Sequence, residues 1–377
     1  MTTGHYTVNG EIFYSKSKAA FKASQTNSEL KWNFYNDVWF NLSADSKNSP
    51  INIPSLNELY KQRAQQLRDK YNYLILNYSG GADSHNVLMS FIKNNIKLDE
   101  IYVQRSSTVD EKIYSPNIVD TSAANLFSEW DYTIKPTLDW IAKDYPNIKI
   151  NIHDVFQTNS LKIYDDMGAN AGHYLGVFEI IRQSSYSDSI QHCLDKGKTV
   201  ADIYGIDKPH LIIKNNMLFG YFTDGAVNVA DKLYSLDTKY SPELFYWSID
   251  CPLIFYAQCR ASLDMLNKFP NNRSLFEIEI LKNVVDYDLD RTRKFFIPII
   301  YDTWDNKFQA GKSFALSNMG RSRDKLYLIH DEFNIYKERW KYNYSNWYTG
   351  IDEKFLMANK THLQNCRTPW FRIGTLT

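Results

Sequence analysis

Residues 73–84 read YLILNYSGGADS, and residues 85–91 continue as HNVLMSF. The first part is a largely apolar run with the length and composition of a buried strand. Val87, Leu88 and Phe91 then recur at the spacing of one face of a helix. The segment therefore predicts a strand, a glycine-containing turn and a helix start, an arrangement that binds phosphate.

The turn consists of residues whose chemistry suits an anion: Ser79, Gly80, Gly81, Ala82, Asp83 and Ser84. Adjacent glycines let the backbone approach an anion closely, and the N–H groups at the start of the next helix point towards bound oxygens. The two serine hydroxyls can add donors. Phosphate repels the Asp83 carboxylate unless a cation lies between them, so this residue predicts a bound Mg²⁺.

This turn is neither the Walker loop of P-loop nucleotidases nor the G-x-G-x-x-G turn of dinucleotide-binding proteins. It closely resembles the S-G-G-x-D-S motif of the N-type ATP pyrophosphatases, or PP-loop enzymes, at every motif position. That family includes asparagine synthetases, GMP and NAD synthetases and tRNA lysidine synthetases. The whole chain is also similar, more loosely, to asparagine-synthetase-like proteins of tailed bacteriophages.

The resemblance implies that the chain uses ATP and Mg²⁺ and cleaves ATP to AMP and pyrophosphate. In such enzymes a carboxylate or carbonyl oxygen attacks the α-phosphate, and ammonia or an amine then displaces AMP. The six turn residues would hold the nucleotide, with Gln104 near the adenine. Asp83 and Lys208 would be the catalytic residues, the lysine by binding phosphate. Asp224 is implied as a second magnesium ligand beside Asp83.

Strand-like and helix-like segments alternate through residues 71–225, which predicts an α/β fold with a parallel twisted sheet flanked by helices. The candidate strands are Tyr73–Asn77, Glu100–Gln104, Ile148–His153 and Thr199–Tyr204. The candidate helices are Ser84–Asn94, Ala123–Tyr145 and Tyr174–Ser184. The resemblance identifies this sheet as HUP-like, that is, of the adenine nucleotide α-hydrolase type.

The flanking segments carry weaker signals. Residues 1–70 predict an N-terminal extension that ends in a helix from a capping box at Ser55, and residues 226–377 predict a mainly helical C-terminal region. Helices are expected at 244–266 and 275–285. Residues 71–225 are thus expected to form the ATP pyrophosphatase domain, closed by a hairpin with an Asn-Asn turn at residues 215–216.

The composition is that of an ordinary globular protein, with 44% hydrophobic and 23% charged residues. Lys plus Arg and Asp plus Glu both number 43, so charge does not indicate a nucleic-acid partner. The sequence has neither a signal-like start nor an apolar run of about 18 residues. We therefore expect a protein of the cytoplasm, or of the host cytoplasm if viral, without a membrane partner.

Differences from individual branches narrow the expected activity. Thr2 stands where glutamine-dependent asparagine synthetases have a catalytic cysteine, and the four cysteines form no C-x-x-C pair. Neither a built-in glutaminase nor sulfur or zinc chemistry is expected. The favoured hypothesis is an adenylating ligase acting on an unidentified small-molecule or nucleotide acceptor. The alternatives are a PAPS-reductase-like nucleotide hydrolase, a nucleic-acid-modifying PP-loop enzyme and a non-catalytic nucleotide-binding module.

Overall fold

The computed structural model describes residues 4–14, 19, 22–23, 25–48, 53–105, 130–154, 188–224, 239–268, 287–288, 296–302 and 366–377. The strands within them are β1 (His5–Val8), β2 (Glu11–Phe13), β3 (Lys31–Asn33), β4 (Tyr73–Asn77), β5 (Glu100–Arg105), β6 (Lys149–Asp154), β7 (Val200–Tyr204), β8 (His210–Lys214), β9 (Met217–Tyr221), β10 (Tyr240–Leu244), β11 (Tyr287–Asp288) and β12 (Phe371–Thr375). The α-helices are α1 (Asn36–Asn48), α2 (Leu56–Lys70), α3 (Ala82–Ile92), α4 (Lys135–Asp144), α5 (Asp188–Asp195), α6 (Leu253–Lys268) and α7 (Ile297–Ile300), and a π-helical turn at Trp130–Ile134 leads into α4. The helices predicted at 174–184 and 275–285 lie outside the described residues.

The central element is a five-stranded parallel sheet with the spatial order β10-β7-β4-β5-β6. The first of these strands in the chain, β4, lies in the middle. β5 and β6 are added on one side of it, and β7 and β10 on the other. The predicted α/β fold with a parallel sheet flanked by helices is confirmed, and the four predicted strands are present with ends shifted by at most one residue.

The strand β10 is a feature that the sequence did not predict. It follows residue 225, the predicted end of the ATP pyrophosphatase domain, yet it pairs in parallel with β7, with Leu244 opposite Tyr204. The predicted boundary therefore falls between two strands of one sheet. The helix expected from Leu244 begins only at Leu253, because residues 245–252 form bends and turns between β10 and α6.

A second sheet, with the order β11-β8-β9-β12, is built around the predicted hairpin. Asn215 and Asn216 connect β8 to β9 with φ angles of 49° and 60°, the left-handed backbone that a two-residue hairpin turn requires. The Asn-Asn turn is therefore confirmed. In the described part of residues 226–377, the strands β10, β11 and β12 stand beside α6 and α7.

The N-terminal segment shares the core of the rest of the molecule. The predicted helix cap is present at Ser55, whose hydroxyl accepts a hydrogen bond from the Glu58 amide at 3.3 Å. Phe222 packs between α1 and α6. The centroid of its ring lies 4.7 Å from that of Trp39 in α1 and 4.2 Å from that of Phe255 in α6. Residues before 71, between 71 and 225, and after 225 thus pack in one hydrophobic cluster. None of the helices described here is both long and apolar enough to cross a membrane.

Candidate functional site

The Ser-Gly-Gly-Ala-Asp-Ser loop leaves the carboxyl end of β4, where the strand order of the central sheet reverses. The chain continues from β4 to β5 on one side, and β7 lies on the other side. Asn77 at the end of β4 is opposite Tyr204 at the end of β7, so the loops that follow these strands are neighbours. Ligands of open α/β sheets bind in the crevice at such a switch point.

Gly80 is the position in the loop that requires glycine. Its φ angle of +70° is left-handed, and a Cβ atom there would lie 2.6 Å from Ile134 Cγ1 and 2.7 Å from Thr133 Oγ1. The π-helical turn therefore packs directly against the loop. Gly81 has an extended backbone, with φ −86° and ψ 167°, which other residues adopt freely.

The helix α3 starts at Ala82 and presents the amides that an anion needs. The amide of His85 donates to the carbonyl of Gly81 at 2.9 Å, which closes the first helical turn. The amides of residues 82–84 precede that bond and have no acceptor within the helix, because the first turn of any α-helix lacks one. Together with the helix dipole they make this end of α3 electropositive.

The two serines hold the loop in shape. Ser84 Oγ accepts a hydrogen bond from the Ser79 amide at 3.2 Å and donates one to the Gly81 carbonyl at 3.2 Å. The two hydroxyl oxygens are also 3.2 Å apart. Since a hydroxyl has one hydrogen, Ser79 is the donor of that pair when Ser84 bonds to Gly81. The sequence suggested both hydroxyls as ligand donors, whereas the structure also gives them this internal role.

Lys208 lies beside the loop, as its proposed role requires. Its Nζ contacts the carboxylate of Asp83 through Oδ2, and it lies 3.6 Å from Asp207 Oδ1. Gly205 makes this approach possible, because a Cβ atom there would lie 2.9 Å from the Ser84 amide nitrogen. The segment after β7 therefore runs directly against the start of α3.

Asp207 and Tyr301 contact this site but were not predicted from the sequence. Asp207 accepts a hydrogen bond from the Lys208 amide at 2.6 Å. The hydroxyl of Tyr301, which directly follows α7, donates to Asp83 Oδ1 at 2.7 Å. Asp207 directly precedes the predicted Lys208 in the chain, but Tyr301 stands in no recognisable motif.

The carboxylates at this edge fit a cation that arrives with a nucleotide. Among the residues described, no group of three or more His, Cys, Asp or Glu side chains is arranged to hold a metal by itself. Mg²⁺ in phosphate-binding sites uses only one or two carboxylates, since phosphate oxygens and water complete its shell. The site has two such carboxylates, those of Asp83 and Asp207, and both contact Lys208.

Asp224 and Gln104 are the other two residues that the sequence assigned to the site. Asp224 is fully buried, and its Oδ2 accepts a hydrogen bond from Tyr6 of β1 at 3.0 Å. It is therefore held by the N-terminal sheet, whereas Asp83 is held by Lys208 and Tyr301. Gln104 lies in β5 opposite His153 of β6, and its side chain lies outside the described part of the structure.

His85 lies in the first turn of α3, beside the glycine loop. Its side chain is buried, and Nδ1 lies 3.2 Å from the hydroxyl of Tyr78. Burial lowers the pKa of this imidazole from 6.5 to about 4, with a smaller contribution from Lys93. The side chain is therefore neutral at neutral pH and adds no positive charge beside the loop.

These contacts bring the glycine loop, Asp83 and Lys208 together at the switch point of the sheet, with Asp207 and Tyr301 beside them. Their arrangement can hold an anion at α3 and a cation at the carboxylates. Comparison of the chain with protein-family models, curated proteins and solved structures gives no match.

Proposed function

We propose that this chain binds ATP with Mg²⁺ in the crevice between β4 and β7 and cleaves it between the α- and β-phosphates. The observation that carries the proposal is the position of the Ser-Gly-Gly-Ala-Asp-Ser loop at the switch point, with Lys208 from the neighbouring segment against Asp83. In chain order the strands lie third, second, first, fourth and fifth across the sheet. This order supports assignment of the sheet to the HUP-like nucleotide-binding class.

Each group in the crevice has a role in this proposal. The amides of residues 82–84 bind the β- and γ-phosphates through the positive end of α3. Lys208 adds a positive charge from the opposite side of the crevice. Asp83 and Asp207 hold Mg²⁺, which supplies charge neutralisation on the phosphate oxygens.

The reaction supported best is adenylation. A carboxylate or carbonyl oxygen of the acceptor forms a bond to the α-phosphorus, while the bond from that phosphorus to the bridging oxygen breaks and pyrophosphate leaves. Negative charge builds on the departing pyrophosphate, where the α3 amides and Lys208 stabilise it. Ammonia or an amine then attacks the activated carbon, and AMP leaves.

The lysine distinguishes this site from a P-loop. In a P-loop the lysine is part of the glycine-rich loop itself, whereas Lys208 follows a different strand and meets Asp83 across the crevice. A P-loop presents the terminal phosphate for transfer, with the lysine on the β- and γ-phosphates. In this proposal the whole pyrophosphate lies between the loops that follow β4 and β7, so the bond that breaks is on its α side.

Product analysis tests this proposal. The protein is incubated with α-labelled ATP and Mg²⁺, together with amino acids, ammonia and nucleosides as acceptors. We expect labelled AMP and free pyrophosphate with at least one acceptor, whereas ADP as the product would contradict the proposal.

The residue-level test compares Asp83→Asn with Asp69→Asn, a matched change on the exposed surface of α2. We expect Asp83→Asn to lower the rate of AMP formation about 10²- to 10³-fold, the usual cost of losing one group that stabilises transition-state charge. Asp69→Asn should retain the wild-type rate. Full activity of Asp83→Asn would remove this carboxylate from the mechanism.

A further inference from the structure

Two buried tyrosines hydrogen-bond to Asp83, one at its carboxylate and one at its backbone carbonyl. Tyr301 donates to Asp83 Oδ1 at 2.7 Å, and the hydroxyl of Tyr246 donates to the backbone carbonyl of Asp83 at 2.8 Å. Both tyrosines are fully buried. Both lie beyond residue 225, so the chain that follows the predicted ATP domain contacts the residue that we propose binds the cation.

Other contacts prevent these tyrosines from moving independently. Tyr301 directly follows α7, and the preceding carbonyl, that of Ile300, accepts a hydrogen bond from Tyr60 of α2 at 2.7 Å. Gln258 of α6 in turn donates to the Tyr60 hydroxyl at 3.0 Å. The ring centroids of Tyr246 and Tyr301 lie 5.5 Å apart, and those of Tyr60 and Tyr301 lie 6.2 Å apart. Three helices thus fix the Tyr301 hydroxyl.

The hydrogen-bonding pattern leaves Asp83 able to bind a cation. Tyr301 contacts one carboxylate oxygen and Lys208 the other. Each carboxylate oxygen has two lone pairs, so one hydrogen bond leaves room for a further ligand. A carboxylate held in this way has lost its rotational freedom before the cation arrives, which lowers the entropic cost of binding.

We propose that Tyr301 is a positioning residue, which orients the Asp83 carboxylate for the divalent cation that enters with ATP. The proposal rests on the function proposed above. It adds that the segment around α7 controls the cation dependence of nucleotide binding at the loop. Groups that orient metal ligands in this way affect metal affinity about 10- to 100-fold when removed.

The test measures ATP affinity by calorimetry, once in Mg²⁺ and once in EDTA, and takes the ratio of the two affinities as the Mg²⁺ enhancement. The variant Tyr301→Phe removes the hydroxyl and keeps the ring. The matched control is Tyr73→Phe, which removes a tyrosine hydroxyl that donates to Glu100 Oε2 at 3.0 Å. Tyr73 begins β4 at the edge of the sheet opposite the loop.

We expect Tyr301→Phe to lower the Mg²⁺ enhancement about 10- to 100-fold and to leave ATP affinity in EDTA unchanged. Tyr73→Phe should retain the wild-type enhancement. A general loss of stability would change ATP affinity in Mg²⁺ and in EDTA alike, so their ratio would stay the same. A folded Tyr301→Phe protein with wild-type enhancement overturns the proposal. Absence of ATP binding by the wild type in Mg²⁺ instead overturns the proposed function, and the inference with it.

If Tyr301→Phe does not fold, Tyr60→Phe provides the second variant. It removes the hydrogen bond to the Ile300 carbonyl and so loosens the residue before Tyr301 without altering any group that contacts Asp83. The same loss of Mg²⁺ enhancement is expected, and a wild-type enhancement in this variant overturns the proposal.

Discussion

Gly80 and Gly205 border the start of α3 from two sides. Gly80 has a left-handed backbone, and Thr133 and Ile134 occupy the space that a side chain there would need. Gly205 has no left-handed backbone, but its backbone touches that of Ser84. Both positions therefore set how closely the surrounding chain approaches the candidate phosphate site.

The change Gly205→Ala tests this close approach. The added Cβ would lie 2.9 Å from the Ser84 amide nitrogen and 3.0 Å from the Asp83 carbonyl carbon, so the backbone of α3 must shift. We expect a loss of about 1–3 kcal/mol in the free energy of unfolding, as for other overpacked sites, and weaker ATP binding.

The matched variant for that experiment is Gly10→Ala in the hairpin between β1 and β2. No atom lies within 4 Å of a Cβ there, but its φ of +82° makes any side chain strained. Urea unfolding should thus show destabilisation in both variants, and ATP titration should show weaker binding only for Gly205→Ala. Equal ATP affinities in the two variants would show that the contact at Gly205 does not shape the site.

At the scale of elements, the parts predicted correctly are those with local signals. The apolar run Tyr73–Asn77 and the turn at Asn215–Asn216 are recognisable from their own residues. The strand β10 reads Tyr-Ser-Pro-Glu-Leu, and Pro242 argues against a strand in sequence. It is tolerated because, in the part of the chain that the structure describes, β10 lies at the edge of the sheet beside β7.

An ion pair joins this unpredicted strand to α2. Arg63 is fully buried and lies 2.8 Å from Glu243 of β10, and Lys70 lies 2.9 Å from the same carboxylate. Burial alone would raise the pKa of Glu243, but the charge of Arg63 and the hydrogen bonds of Tyr71 and Lys70 outweigh it, so the pKa lies below its usual 4.5. The folded protein therefore favours the ionised carboxylate.

The change Glu243→Gln removes the nearer carboxylate partner of the buried Arg63 charge and leaves the more distant Asp250, at 3.9 Å. We expect a loss of about 3–5 kcal/mol in the free energy of unfolding at pH 7. Because the folded pKa is depressed, this stabilisation is present above pH 4.5 and is lost as the pH falls through the folded pKa. The difference between wild type and variant should shrink when urea unfolding is repeated in increasing acid.

The control for this experiment is Glu29→Gln, which removes an exposed ion pair with Lys31 at 3.4 Å. An exposed pair contributes at most about 1 kcal/mol, so this variant should match the wild type closely. A pH-independent loss in Glu243→Gln would mean that the carboxylate charge does not stabilise the junction of α2 and β10.

At the scale of the whole molecule, one site draws on segments that are far apart in the chain. Tyr301 lies 218 positions after the Asp83 side chain that it contacts, and Lys208 lies 125 positions after it. Motif and periodicity predicted the loop, because it is contiguous. They could not predict Tyr301, because its position depends on packing among α2, α6 and α7 rather than on any local pattern.

Asp224 also makes a long-range contact. The resemblance implied it as a second magnesium ligand, and in the structure its carboxylate accepts a hydrogen bond from Tyr6 of the N-terminal sheet. The carboxylate that contacts Lys208 beside Asp83 is Asp207. Local sequence thus predicted the loop, and tertiary contacts determine which carboxylates meet Lys208.

The most direct test of the central claim is a crystal structure of the protein with Mg²⁺ and α,β-methylene ATP, an analogue that cannot be cleaved between these phosphates. We predict that the β- and γ-phosphate oxygens lie within about 3 Å of the amide nitrogens of residues 82–84, with the α-phosphate exposed in the crevice and Lys208 against the phosphates. A nucleotide bound elsewhere, or bound with its phosphates away from α3, would contradict the assignment of this loop as the pyrophosphate site.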